Sequence, residues 1–202
     1  MTPPPFDSQH FTALVRAFAQ EAFQDILNSI EGEQLYVFGL YTNGEGTYVL
    51  PTSNTEEALD RKALTYAEEG SALFDLERQA LRWSPCDWEY HQKGGDATGA
   101  LVGGYLETGW DSSYTEFSFD ADLIDACYIE ALQQLQREHL LSAPGYHKPI
   151  LINLFKGDQS DEERIAFAKQ LNDDELCAQF QQELDQGYEA FYALLNASRQ
   201  GQ

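Results

Sequence analysis

Leu35-Tyr36-Val37-Phe38-Gly39-Leu40-Tyr41-Thr42-Asn43-Gly44 is the stretch that decides the fold. Its eight leading residues are aromatic, branched or small, the composition of a buried strand. Asn43-Gly44 then signals a hairpin turn, because both residue types tolerate positive φ. The return strand reads Thr47-Tyr48-Val49-Leu50, and Pro51 stops it. A hairpin over 35–50 is therefore expected.

Upstream, Phe11, Leu14, Val15, Phe18, Phe23, Ile26 and Leu27 follow helical spacing, and Asp7 or Ser8 can cap that helix. Downstream, Asn54-x-x-Glu57 predicts a capping box for a helix to about residue 69. Further helices are expected over about 71–81, 122–141, 160–171 and 173–196. The segment 93–109 carries six glycines, Gly94, Gly95, Gly99, Gly103, Gly104 and Gly109, and reads as irregular. Pro144-Gly145 ends the 122–141 helix, and Lys148-Pro149-Ile150-Leu151-Ile152-Asn153-Leu154-Phe155 supplies a second core strand. The expected class is α+β in one domain over 1–202, with residues 1–6 as a flexible N-terminus. A small, mainly antiparallel sheet, hairpin 35–50 plus strand 148–155, packs with about five to six helices.

Thirty-four Asp and Glu against twelve Lys and Arg give a formal net charge of −22 over 202 residues. A chain that is also 43% hydrophobic and 13% aromatic can build a core, so the acidity belongs to a folded surface. Like-charge repulsion argues against nucleic acid and anionic membrane as partners. A basic protein partner fits the charge, and so does simple solubility. Nothing resembles a leader or a membrane span, so a cytoplasmic location is expected. Cys86, Cys127 and Cys177 are far apart and form no C-x-x-C pair, which indicates neither disulfide framework nor zinc.

Signatures of catalysis are missing. The glycines lack the Gly-Lys-Ser/Thr ending of a phosphate loop, and His10, His91, His139 and His147 are scattered. Asp120-x-Asp122-x-x-Asp125 and Asp158-x-x-Asp161-Glu162-Glu163 could tempt a metal reading. Carboxylates in a first helical turn serve the macrodipole and the free N–H groups anyway, so capping is preferred. No metal and no cofactor are expected. Between Lys93 and Arg137 the chain has no Lys or Arg, while carboxylates and aromatic rings alternate. Trp110, Asp111, Tyr114, Glu116, Asp120, Asp122 and Asp125 are the candidates for binding a basic partner, charge setting encounter rate and rings setting affinity. A solvated face over ordinary core aromatics accounts for the same pattern. The alternative is a small enzyme or ligand-binding domain with a cleft near Asp87, Trp88 and His91, aided by Asp158.

Several blocks carry a family resemblance. Phe38-Gly39-Leu40-Tyr41-Thr42-Asn43-Gly44-Glu45, Asn54-Thr55-Glu56-Glu57 and Leu81-Arg82-Trp83-Ser84-Pro85-Cys86-Asp87-Trp88 resemble the bacterial domain of unknown function 4303 family. So do Ala131-Leu132-Gln133-Gln134-Leu135 and Gly157-Asp158-Gln159-Ser160-Asp161-Glu162-Glu163. The resemblance implies a cytosolic protein, and some such proteins look like immunity proteins paired with secreted antibacterial toxins. The expectation is a non-enzymatic, immunity-type inhibitor that contacts a toxin directly. A generic cytosolic interaction domain is the third possibility.

Overall fold

The structure is a computed structural model that describes residues 5–142 and 148–200; Pro144, Gly145 and His147 lie outside the described residues. Strand β1 (Leu35–Thr42) is central in a three-stranded sheet, between β2 (Val49–Thr55) and β3 (Leu151–Lys156). The class is α+β, with a small sheet between helical layers. β2 runs antiparallel to β1, while β3 pairs with β1 in parallel, from Val37 opposite Leu151 to Thr42 opposite Lys156. The expected mainly antiparallel sheet is thus mixed. A parallel return needs a crossover, and everything between residues 56 and 150 supplies it.

The two faces of β1 bury different clusters. Phe38 and Leu40, with Ile152 and Leu154 of β3, pack on helix α1 (Ser8–Ser29), helix α4 (Asp96–Glu107) and helix α5 (Ala121–Arg137). Tyr36 and Val37, with Leu151 and Phe155, pack on Trp83, Trp88, helix α6 (Asp161–Leu171) and helix α7 (Asp174–Gln200). Strict alternation would put Tyr36 and Val37 on opposite faces. A register shift between Leu35 and Val37 places both on the same one.

The hairpin is wider than the Asn43-Gly44 signal implies. The Asn43 side chain holds Thr47 through its N–H at 2.9 Å and its hydroxyl at 2.8 Å, and Gly46, not Gly44, takes the positive φ of 68°. Pro51 does not end β2. It sits inside this strand because β2 is the sheet's outer strand, where the missing N–H leaves no ladder bond unmade. Asn54 consequently stays in the strand and bonds Tyr36, and Thr55 caps helix α2 (Glu56–Ala63) by accepting from the Ala58 N–H. Helix α3 (Ala72–Leu81) follows, capped by Ser71.

The glycine-rich 93–109 segment is also corrected: most of it is α4. Gly94 and Gly95 take positive φ just before the helix. A Cβ on Gly95 or Gly99 would lie 2.8 or 3.0 Å from the Phe18 ring, so these glycines let α4 close on α1. Nor is the N-terminus free throughout, since Phe6 packs against Phe11 and Phe119 at centroid separations of 5.3 and 5.0 Å. The predicted caps at Asp7 and Asp120 form, and Ser160 caps α6 by accepting from the Glu163 N–H.

Candidate functional site

Between α4 and α5 the chain makes a tight loop, 108–120, that holds most of the acidic-aromatic candidates. Trp110 and Phe117 face each other in an isolated antiparallel bridge, with ring centroids 5.1 Å apart. Gly109 sits beneath them, where a Cβ would lie 2.7 Å from the Phe117 ring. The Asp111 carboxylate fastens the turn: it accepts from the Thr115 N–H at 2.7 Å, the Thr115 hydroxyl at 2.9 Å and the Glu116 N–H at 3.3 Å. Led by the Thr115 backbone N–H, these donors hold its carboxyl below the usual aspartate range. Tyr114 stands at the tip with φ of 54° and 68% of its surface exposed. A left-handed tyrosine is uncommon, and here the fastened turn imposes it.

The rest of that candidate set divides. Glu116 and Asp122 are exposed. Asp120 is exposed too and caps α5 through the Asp122 and Leu123 N–H groups, at 2.9 and 3.2 Å. Asp125 does not belong to the surface. It is buried and pairs with Lys156 at 2.6 Å, the two side chains being 9% and 10% exposed. Burial raises the Asp125 pKa against the pull of Lys156. Burial also works against the Lys156 ammonium, but Asp125 and Glu163 outweigh it and keep that pKa above the ordinary lysine value. Position 125 lies on the same helical stripe as Tyr128 and Leu132, which is why it turns inward.

The alternative cleft residues are not gathered into one constellation. Trp88 is buried, donates its indole N–H to the Arg82 carbonyl at 3.1 Å and meets Phe155 edge-on at 5.2 Å. Asp87 accepts from the Ser84 hydroxyl at 2.7 Å and pairs with Lys62 at 3.3 Å. His91 instead sits 3.0 Å from the Thr52 hydroxyl and edge-on to Tyr41, and burial lowers its pKa. Tyr41 in turn accepts from the Cys86 thiol at 3.5 Å. The neighbouring Cys86 sulfur, burial and the nearby charge of exposed Asp158 all favour the protonated phenol and raise the Tyr41 pKa. Tyr41 and Cys86 were not among the sequence candidates; alternation along β1 puts Tyr41 on the Val37 face, but nothing local brings Cys86 to it.

Arg82 organises the neighbouring wall. Its guanidinium takes both oxygens of Glu56 at 2.9 and 3.0 Å and one of Glu183 at 2.7 Å, with the Tyr36 ring 4.3 Å away. Burial opposes ionisation of Glu56, but Arg82 and Arg78 outweigh it and hold its carboxyl below the glutamate value. A cavity of about 730 Å³ opens beside this cluster, lined by Tyr36, Arg78, Arg82, Trp83, Phe180 and Glu183 among others.

Residues 15–173 match the model of the family described as domain of unknown function (DUF4303). The chain belongs to that family. No curated protein and no solved structure matches it. The DUF4303 match takes in the sheet, the 108–120 loop and the surroundings of Tyr41, and it ends just before α7. Among the described residues of this DUF4303 protein, no group of three or more His, Cys, Asp or Glu side chains is placed to hold a metal ion. No described helix is long and apolar enough to cross a membrane.

Proposed function

We propose that this DUF4303 protein is a non-enzymatic binding protein that acts in the cytoplasm and takes a basic protein partner on its 107–122 surface. The observation that carries this reading is Tyr114, a large exposed ring on a turn already fastened by Asp111. Preorganisation matters because a rigid loop loses little entropy on docking. Glu107, Asp111, Glu116, Asp120 and Asp122 surround the ring in sequence, in a stretch without Lys or Arg. Carboxylates around an aromatic anchor give a salt-sensitive encounter with a basic face and a contact that outlasts it. The further reading, an immunity-type inhibitor whose partner is a bacterial toxin, rests on the family resemblance rather than on this geometry.

The test is capture of a partner from native lysate at low and high salt, with wild type and Tyr114→Ala in parallel. Wild type should recover a basic protein at low salt and less at high salt. Tyr114→Ala should lose about 2 kcal/mol of binding, roughly thirtyfold in affinity, while thermal stability stays within about 0.5 kcal/mol. Equal recovery by both proteins, or none by wild type at either salt, would defeat the proposal.

A further inference from the structure

Most of the described cations face carboxylates: Arg16, Arg61, Lys62, Arg78, Arg82, Arg137 and Lys156 all do. Arg164 departs from this. Its Nη1 donates to the Trp83 carbonyl at 3.2 Å, its Nε is buried without an acceptor, and among the described residues no carboxylate pairs with it. Arg164 lines a cavity of about 360 Å³ on the Tyr41 side of the sheet, with Trp83, Tyr41, Lys156, Tyr188 and Phe191. In a chain with thirty-four Asp and Glu, two cations and no carboxylate line this space. Trp83 adds a second buried donor, an indole N–H without an acceptor. Buried donors left unpaired are costly, and both belong to residues that line this cavity, Trp83 lining the cavity of about 730 Å³ as well.

The flanking charges are specific. Lys156 is already held by Asp125 and Glu163, and Asp161 accepts from the Tyr188 hydroxyl at 3.1 Å, so Arg164 is the cation left for a ligand. The remaining walls are mainly apolar and aromatic, with Gln79 and Ser84 as polar exceptions, and Phe191 is 54% and Tyr188 47% exposed. A volume near the lower end of ligand sites, apolar walls and one convergent cation suit a small molecule.

We propose that this cavity binds a small aromatic carboxylate, its ring against Trp83 and Phe191 and its carboxylate on Arg164. The proposal is independent of the 107–122 surface and would stand if that one bound nothing.

Cys86 supplies the test, because it lines the same cavity and is the exposed one of three free thiols. Its alkylation by iodoacetamide is followed by mass spectrometry with benzoate, phenylacetate or indole-3-acetate, and with benzamide as the uncharged control. At about ten times the dissociation constant, labelling slows about tenfold, whereas benzamide leaves it unchanged. Arg164→Gln abolishes the protection if it keeps the wild-type melting temperature. If it does not fold, Phe191→Ser at an exposed position decides in its place, and it too should remove the protection. Failure of all three acids, equal protection by benzamide, or full protection in the folded variant would overturn the proposal.

Discussion

Gly39 stands opposite Asn153 in the β1–β3 ladder, and a Cβ there would lie 2.2 Å from the Asn153 carbonyl oxygen. Backbone cannot give way as a flexible side chain can. Gly39→Ala should therefore cost about 3 kcal/mol, read as a lower urea midpoint; an unchanged midpoint would mean the strands separate easily. Lys156 poses the opposite problem, a charge that cannot be removed alone. Lys156→Met leaves the Asp125 carboxylate buried and unpaired, and should cost about 3–5 kcal/mol. Pairing it with Asp125→Leu removes both charges, so the double variant should regain most of the loss in the same denaturation experiment. Neither site is visible in local sequence. Gly39 looks like a flaw in a good strand, and Asp125 looks like another acid in a run of acids.

At the scale of elements, the caps and the apolar stripes were legible because each depends on neighbours three or four residues away. Asp7, Asp120 and Ser160 do what their positions imply. What the sequence hid depends on distant partners. The direction of β3 is set by packing across the sheet, β2 runs through Pro51 because no third strand needs an N–H on its outer side, where the Pro51 carbonyl accepts from the Gln92 N–H at 2.9 Å, and α4 closes on α1 because glycines face Phe18. The acidic loop was legible, apart from Asp125, since its members are close in sequence. The Arg164 cavity was not, since its walls come from positions 41 to 191. The glycines of α4 give this a measurable form. Gly104 has open space around its would-be Cβ, so Gly104→Ala should stabilise by about 0.5–1 kcal/mol through helix propensity. Gly99→Ala should destabilise, because the Phe18 ring stands 3.0 Å from the new methyl. Thermal melts of both variants separate glycine as a helix weakness from glycine as a packing device.

Over the whole molecule the formal charge of −22 sets a repulsion that the ion pairs on α2 and α3 relieve only locally. Compactness gathers that charge, so screening should favour the folded state. The Debye length falls from about 10 Å at 0.1 M salt to about 3 Å at 1 M. The melting temperature should rise over that range; a fall would mean that the Arg61, Arg78 and Arg82 pairs outweigh the repulsion. The sheet order adds a consequence for synthesis. β1 pairs with β3 across a gap that joins Val37 to Leu151. At ordinary elongation rates of about 5–20 residues per second, β1 waits roughly 6 to 23 seconds before its parallel partner is made. For that interval the nascent chain carries an unpaired aromatic strand edge, so translation speed and chaperone capture decide how much of this protein reaches its native state.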